Sequence, residues 1–595
     1  MPMFASVDFE TSYEKGRDIR ALGTVPYLRH RDTDIYLVSM AFPDGSTWAG
    51  DPASAPWGRL EGLEWVSHNR SFDLAVWMEL TRRGMVLPFP TRWHCSADLM
   101  AYIQAPRSLA GACAELLGTA VSKVTRDEMR GADYRALPPS KKREVQEYAR
   151  SDALLCWMLW RNHSDAWPER ERWLSEHTTR MGLIDGIGLD WAAVLEGKDK
   201  LATVAWDAER MIPWAADHPV TSPKQLALAC RAAGIPPPIT TDAKSEEFDE
   251  WADVYADRAP FVAAVQKWRR ANRLLKVLAS MEGRLVDGRL RYQLKYFGAS
   301  HTGRWAGDAG LNLQNLPRKP FEGVDARACL VPKAGHKFVS SDLSQIEARV
   351  ALWIAGDEVM LDRLRAGEEL YEAHARSTMG YKDPRPLAEV DNDMRQLAKC
   401  RVLGLGFGLG APKFVRIVKA WTGKDISLEE ARMVVRDFRG KNAPIVKTWK
   451  YLERMILNYD RDERGRRAPA MTVLPSGRAI QYFNLVESGS EEGDRSSWSG
   501  RVVRGEPRRR LYGGSLFENL VQATAREILA VKIRETEDAG IPVVLHVHDE
   551  IVGEVPDADA EEAKNVLNRL MSEAPEWAEG LPMRTDTKIL RRYGK

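Results

Sequence analysis

Apolar and polar residues alternate over FASVDFET at positions 4–11. Apolar runs of β type recur in KFVSSDL at 337–343 and on both sides of the acidic pair in VVLHVHDEIVGEV at 543–555. A period of two predicts strands whose successive side chains point to opposite faces. Helical spacing takes over in SHNRSFDLAVWMEL (67–80) and runs longer in SKKREVQEYARSDALLCWML (140–159). The stretch 166–298 reads mainly helical, broken by GIPPPIT at 234–240. Within it Ser222 of TSPKQL is placed to cap a helix, and GRLVDGRLRYQLKYF (283–297) predicts a strand pair. Mixed elements over 595 residues exceed what one core organises, so a multidomain α/β and α+β protein is expected.

Composition changes this picture little. The chain is 44% hydrophobic and 29% charged, as in ordinary globular proteins, and its 86 basic and 84 acidic residues nearly cancel. Charge is instead local: KWRRANRLLK (267–276) has five cations and no anion, and RVVRGEPRRR (501–510) has five arginines against one glutamate. Such runs are most often solvated faces. The six cysteines form neither a CxxC pair nor a tight cluster, which argues against a zinc site and a disulfide framework and favours a reducing cytoplasm. Neither a signal peptide nor a membrane-length apolar run is apparent.

The chemistry lies in the carboxylates. Asp342 ends one predicted strand and opens a helix, while Asp549 and Glu550 interrupt another apolar pair some two hundred residues later. Acids brought together from distant strand ends suit a pair of hard divalent cations, which clamp the attacking and leaving oxygens of an in-line phosphoryl displacement. Between them, RQLAKCRVLGLGFG sets Arg395 and Lys399 four apart, two cations on one helix face. A second acid set occupies the first 165 residues: Asp8 and Glu10 on one strand face, Asp73 in the first turns of a helix, and Tyr148 and Asp152 four apart on another helix. Four acids and a tyrosine from three elements suit two Mg²⁺ ions and a water aimed at a phosphodiester.

In order, DxE, NxxxD and YxxxD resemble the three motifs of the DEDD-type 3′–5′ exonucleases, tyrosine subclass. The resemblance implies a ribonuclease-H-like domain over 1–165, with Asp8, Glu10, Asp73 and Asp152 as metal ligands and Tyr148 positioning the water. Downstream, TGR with NLQNLP, DLSQIEAR, RxxxK with a glycine-rich sequel, VQATA and HVHDE resemble the family A DNA polymerases, the DNA polymerase I type, over about 170–595. This implies a right-hand polymerase domain: connecting helices and thumb at 166–298, palm at 299–347 and 513–595, fingers at 348–512. Asp342 and Asp549 would hold two Mg²⁺ ions, with Mn²⁺ able to substitute, and Glu550 would support them. Gln345, Glu347, Arg395, Lys399, Leu403 and Phe407 would line the nucleotide pocket, Glu347 excluding a 2′-hydroxyl. Arg304, Gln522 and His548 would contact DNA, Arg304 and Gln522 at the minor-groove acceptors that do not distinguish sequence. The implied activity is template-directed DNA synthesis with proofreading. A start at the exonuclease is most like bacteriophage-encoded members. Such a member would act as a monomer in the cytoplasm of a bacterial host. Its ligands would be primer-template DNA and deoxynucleoside triphosphates, and its partners a phage helicase, primase and single-strand-binding protein. A decayed polymerase half, or a non-catalytic primer-template binder, is disfavoured because both acid sets are complete.

Two features depart from the pattern, the residues after Lys399 and a charged segment, and a glycine run between them only mimics a dinucleotide loop. Leu403 stands where the family usually has an aromatic, Val402 where it has asparagine and Phe407 where it has tyrosine. LGLGFGLG (403–410) lacks GxGxxG spacing and reads as the continuation of a helix. The segment 484–514, acidic then basic, reads as a loop or hairpin on the fingers with no assigned role.

Overall fold

The computed structural model describes residues 3–122, 124–242, 246–457, 470–488 and 497–594. Its N-terminal sheet forms where the alternation is clearest. Strand β1 (Phe4–Thr11) lies central in the order β3-β2-β1-β4-β5, with β2 (Ile35–Ala41), β3 (Thr47–Gly50), β4 (Glu64–Ser67) and β5 (Trp93–Cys95). β1 runs antiparallel to β2 and parallel to β4. Helix α1 (Arg70–Arg82) presses Val76 and Leu80 onto Val7, Phe9 and Trp65. After α2 (Ser96–Tyr102), the long helix α3 (Pro139–His163) covers β1 and β2, which is why β2 is buried along its whole length. Pro139 opens α3, where its missing N–H costs nothing.

The core does not stop at the end of α3. Trp160, Trp167 and Tyr296 follow one another with ring centroids 6.1 and 5.9 Å apart, leading from α3 past α4 (Glu169–Thr179) to the hairpin of β6 (Leu294–Ala299) and β7 (Arg304–Gly307). Two long helices, α5 (Trp191–Glu209) and α6 (Pro260–Glu282), pack against each other ahead of that hairpin. Ser222 caps the helix Pro223–Ala232 by accepting the Gln225 N–H at 3.4 Å. In the β6–β7 turn Gly303 has φ +81°, and a Cβ there would lie 2.9 Å from the Phe297 ring, so the close approach requires glycine.

The C-terminal half is built on an antiparallel sheet. Strand β8 (His336–Leu343) leads into α7 (Ile346–Ala355), and α8 (Asn392–Cys400) follows further on. Strands β9 (Ala470–Val473), β10 (Ala479–Ser488), β11 (Ser497–Arg501) and β12 (Arg509–Leu511) form a separate sheet in chain order. Then come α9 (Gly513–Asp538), β13 (Val543–Val547), β14 (Glu550–Pro556), α10 (Ala560–Ser572) and β15 (Thr585–Leu590). The main sheet runs β13-β14-β8-β15, every neighbour antiparallel. The segment 484–514 is thus largely ordered as strands; its part at 489–496 lies outside the described residues.

The run LGLGFGLG begins as the continuation of α8, widened into a π turn over Arg401–Leu405, but the helix stops at Gly406 and a new one, Ala411–Thr422, begins after it. Glycine is the reason. A Cβ at Gly406 would lie 2.4 Å from the Val402 carbonyl, and Gly408 has φ +79°.

Charged groups pin α4 to α9. Arg526, its side chain 1% exposed, meets Glu171 at 2.8 Å and Glu527 at 3.1 Å, and Arg478 from the β9–β10 turn meets Glu527 at 2.8 Å. Burial works against the Arg526 charge, but Glu171 and Glu527 more than offset it and raise its pKa. Near the end of α9, burial likewise opposes the Glu537 anion. His177 (2.9 Å), Arg180 (2.7 Å) and the Val543 N–H (2.8 Å) prevail and hold its pKa down to about 2. A carboxylate depressed on folding stabilises above its unfolded pKa of ~4.3, and the contribution disappears as pH falls through the folded value. Urea midpoints of Glu537→Gln should therefore fall below those of the parent at pH 7, with the gap narrowing from pH 4.5 to 3. A gap independent of pH would remove Glu537 from this role.

Candidate active sites

The N-terminal acids converge. Asp8 and Glu10 project from the same face of β1, and Asp73 in the first turn of α1 accepts the Phe9 N–H at 3.1 Å, which ties helix to strand. Asp152 comes from α3, one turn after Tyr148, whose hydroxyl hydrogen-bonds to it. Burial and then mutual repulsion shape their titration. Asp8 is raised by burial and by Asp73, Glu10 and Asp152; Glu10 is raised by burial and Asp152 to about 7. Asp73 is raised by burial, and further by Glu10, to about 8, although the Phe9 N–H pulls the other way. Arg126, absent from the motif reading, moderates the charge on Asp8, Glu10 and Asp152.

These residues fit a divalent cation by their own imbalance. Asp152 Oδ1 is buried without a hydrogen-bond partner, and the four acids crowd like charge into a low-dielectric site. A hard cation relieves both. Among the described residues no three His, Cys, Asp or Glu side chains are drawn together closely enough to hold an ion as they stand, so the quartet is convergent rather than closed.

In the C-terminal half, Asp342 is the penultimate residue of β8. Asp549 lies not at a strand end, as expected, but in the two-residue turn between β13 and β14, because Val547 pairs directly with Glu550. That turn puts His548 at φ +55°. The Leu343 N–H donates to the Asp549 carbonyl at 3.0 Å, so the two acid-bearing peptides are hydrogen-bonded neighbours. Glu550 faces Asp342 in register but is 5% exposed, and it accepts hydrogen bonds from the hydroxyls of Ser340 and Tyr593, the latter at 2.9 Å. It braces the strands. On the other side of Asp342 the register partner is Asp586, exposed and paired with Lys588 at 2.6 Å.

Around this centre Arg304, Gln314, Ile346, Glu347, Arg526, His548 and Asp549 share the lining of one small cavity. Arg304 from β7 is ion-paired with Glu347 in the first turn of α7 and feels Asp549 and Glu518. Gln522 on α9 donates to Glu518 at 3.1 Å, within the same polar group. Burial, then Arg304, Arg318 and Arg327, lowers the pKa of His548. Gln345 occupies the left-handed N-cap of α7 (φ 56°) and donates to Glu369 at 3.1 Å. Glu369 also holds Arg395 at 3.2 Å, while Lys399 lies 5.6 Å from the Trp421 ring centroid. Leu403 and Phe407, half-buried, fall on and after the π turn, so the count by fours along one α face ends at Lys399.

Asp8, Glu10, Asp73, Tyr148 and Asp152 thus form one group, Arg304, Glu347, His548 and Asp549 line a second, and Gln345 and Arg395 meet through Glu369. Sequence reading missed Arg126, Glu369, Asp586 and the Ser340–Tyr593 brace. Only Asp586 left a usable signal, as an acid in the alternating run TDTKIL. The others depend on long-range approach. His546 is fully buried with its ring 4.6 Å from that of Trp305. No helix among the described residues is long and apolar enough to cross a membrane.

Comparison with known proteins supplies a frame for this geometry. The profile of DNA polymerase family A matches residues 196–468. A DNA polymerase of Bacillus phage SP02 is 25% identical over 677 aligned positions, covering 99% of both chains. DNA polymerase I of Aquifex aeolicus is 28% identical over 63% of this chain and 58% of its own length. In three dimensions the chain is similar to the POL domain of Pol1 from M. smegmatis, solved in complex with DNA primer-template and dNTP. That likeness has a TM-score of 0.67 at 18% identity and covers 99% of this chain and 95% of the other. The family profile, an end-to-end phage relative and a shared fold agree in likening the chain to DNA polymerase family A.

Proposed function

We propose that the protein is a template-directed DNA polymerase that extends a primer 3′ end with deoxynucleoside triphosphates and proofreads through a 3′–5′ exonuclease. The observation that carries the reading is the pair of separate acid groups, one on β1, α1 and α3, the other on β8 and the β13–β14 turn. The family profile, the phage relative and the fold support the polymerase half. The carboxylate crowding and the orphaned Asp152 oxygen support the exonuclease half. In this reading 1–165 is a ribonuclease-H-like exonuclease domain, 166–298 connecting helices and thumb, 299–347 with 513–595 the palm, and 348–512 the fingers.

Asp342 and Asp549 would hold two Mg²⁺ ions in the palm, and Asp8, Glu10, Asp73 and Asp152 would hold two in the exonuclease. When bound, these ions neutralise charge developing on phosphoryl oxygens. The protein's own groups do the rest. Arg395 offers a planar fork to the triphosphate and Lys399 a point charge. Glu347, fixed by Arg304, stands under the sugar and excludes a 2′-hydroxyl. Arg304 and Gln522 face the minor groove of the terminal pair, and His548 lies near the primer end. In the exonuclease, Tyr148 orients the attacking water from beside Asp152. A phage replication role, with helicase, primase and single-strand-binding protein as partners, accords with the SP02 relative.

The deciding assay is primer extension with Mg²⁺ and four deoxynucleotides, followed by removal of a mismatched 3′ end without nucleotides. Products that do not follow the template would end the polymerase reading. A second expectation concerns Leu403, which offers neither a flat ring nor a hydroxyl to stand in for a missing 3′-OH. The parent should discriminate strongly against dideoxynucleotides, and Leu403→Tyr should raise their use at least ~10-fold, about 1.4 kcal/mol of transition-state energy. Single-turnover incorporation of dideoxy against deoxy substrate measures this, and an unchanged ratio refutes the placement of Leu403.

A further inference from the structure

The β9–β12 sheet is tied on one side to Gln104 of the N-terminal region and on the other to the turn that carries Arg304. Beginning at the exonuclease, Cys113 feels the field of Asp152, and two residues on, Glu115 faces Arg504 and Gly505; a Cβ on Gly505 would lie 3.0 Å from the Glu115 carboxylate. Gln104, which ends the α2 region at φ +55°, clamps the sheet to the N-terminal domain. Its amide donates to the carbonyls of Gln481 (3.0 Å) and Val502 (2.7 Å) and accepts the Gln481 N–H (2.7 Å), while its carbonyl accepts the Arg504 N–H at 3.0 Å. On the far side Arg478 donates to the Thr302 carbonyl at 2.9 Å, in the turn that carries Arg304. His301 in that turn is held at a pKa of about 4 by burial, then by Arg509, Arg478 and Arg304.

The outer strand of this sheet is the arginine run. Arg508, Arg509 and Arg510 are exposed on and beside edge strand β12, with Arg501 half-buried on β11. Among the described residues Arg509 pairs with Glu506 at 3.9 Å, and Arg508 donates to the Asn484 carbonyl at 3.2 Å. Three exposed arginines on and beside the edge strand of a sheet that is tied both to Gln104 and to the turn carrying Arg304 have the charge and position of a phosphate track. Exposed guanidiniums grip the backbone of a single strand without reading bases. A paired primer end at Asp342 has no use for such a track, whereas a frayed end on its way to Asp8 does.

We infer that the β10–β12 sheet is a single-stranded DNA guide, on which Arg508, Arg509 and Arg510 hold the unpaired 3′ end of the primer between the two centres. The inference rests on the two-centre reading of function, and its test is independent of either activity. The full chain and the R508Q/R509Q/R510Q variant are titrated in EDTA against two labelled primer-templates, one fully paired and one with its last four primer bases mismatched. The variant should bind the frayed substrate about 10-fold more weakly and the paired one within about 2-fold. Its salt slope on the frayed substrate should fall by about 2, near 0.7 per lost phosphate contact. Unchanged affinity, or equal weakening on both substrates, overturns the guide; equal weakening assigns the arginines to duplex DNA. With Mg²⁺ added, the variant should digest free single strands at the parent rate and excise mismatched ends of duplexes more slowly. A matched fall in both reactions also overturns it. Failure of the exonuclease reading shows separately, as single-strand digestion that survives Asp8→Ala.

Discussion

Asp342→Ala should abolish primer extension and leave 3′ degradation intact, and Asp8→Ala should do the reverse. The expected loss in each case is at least ~10³-fold, since several kcal/mol of transition-state stabilisation depend on correctly held cations and each 1.4 kcal/mol is a factor of ten. Independence follows from where the acids sit. Asp342 belongs to β8 and exchanges main-chain hydrogen bonds with the β13–β14 hairpin, whereas Asp8 belongs to β1 and is tied through Phe9 to Asp73. Neither sheet shares a strand with the other. Extension is read with Mg²⁺ and four deoxynucleotides, degradation on a single-stranded oligonucleotide without them. If either substitution lowered both activities alike, the acids would serve one centre or the common fold.

The second large effect is on stability. Arg526→Met should cost about 3–5 kcal/mol, because it strands Glu171 and Glu527 as buried charges with part of their partner gone. Glu171 would keep the Tyr296 hydroxyl at 2.6 Å and a distant Arg170 at 4.0 Å, and Glu527 would keep Arg478, with Arg170 at 3.5 Å and the Ser476 hydroxyl at 3.4 Å. Replacing the charge on both sides, as in R526M/E171Q, should recover much of that loss, since a buried pair removed together leaves no uncompensated ion. Guanidinium unfolding of parent, single and double variants measures the difference. A single variant within 1 kcal/mol of the parent would mean that water reaches the cluster.

Local signals carried the sequence reading furthest. The strand Phe4–Thr11, the helices around Asp73 and Asp152, the Ser222 cap and the approach of Asp342 to Asp549 all depend on period, capping chemistry or motif order, which are written in adjacent residues. What escaped depends on backbone detail or distant partners. The π turn after Cys400 arises from glycines whose missing side chains allow a carbonyl to approach, a steric fact invisible to helical periodicity. The Asp549 turn depends on hairpin register. Glu550 reads as a catalytic acid beside Asp549, yet Ser340 and Tyr593 claim both of its oxygens from 210 and 43 residues away. Glu369 and Arg126 had no pattern to announce them.

Glu369 has one more bearing on selectivity. Because it already occupies Arg395, with Gln345 holding it in place, whatever docks there must displace a resident anion. A single negative charge exchanges one carboxylate for its equal and gains little. Under the proposed role of Arg395 and Lys399, a polyphosphate would bring surplus charge and a second attachment at Lys399, and the carboxylate would act as a threshold that weakly charged competitors fail to cross.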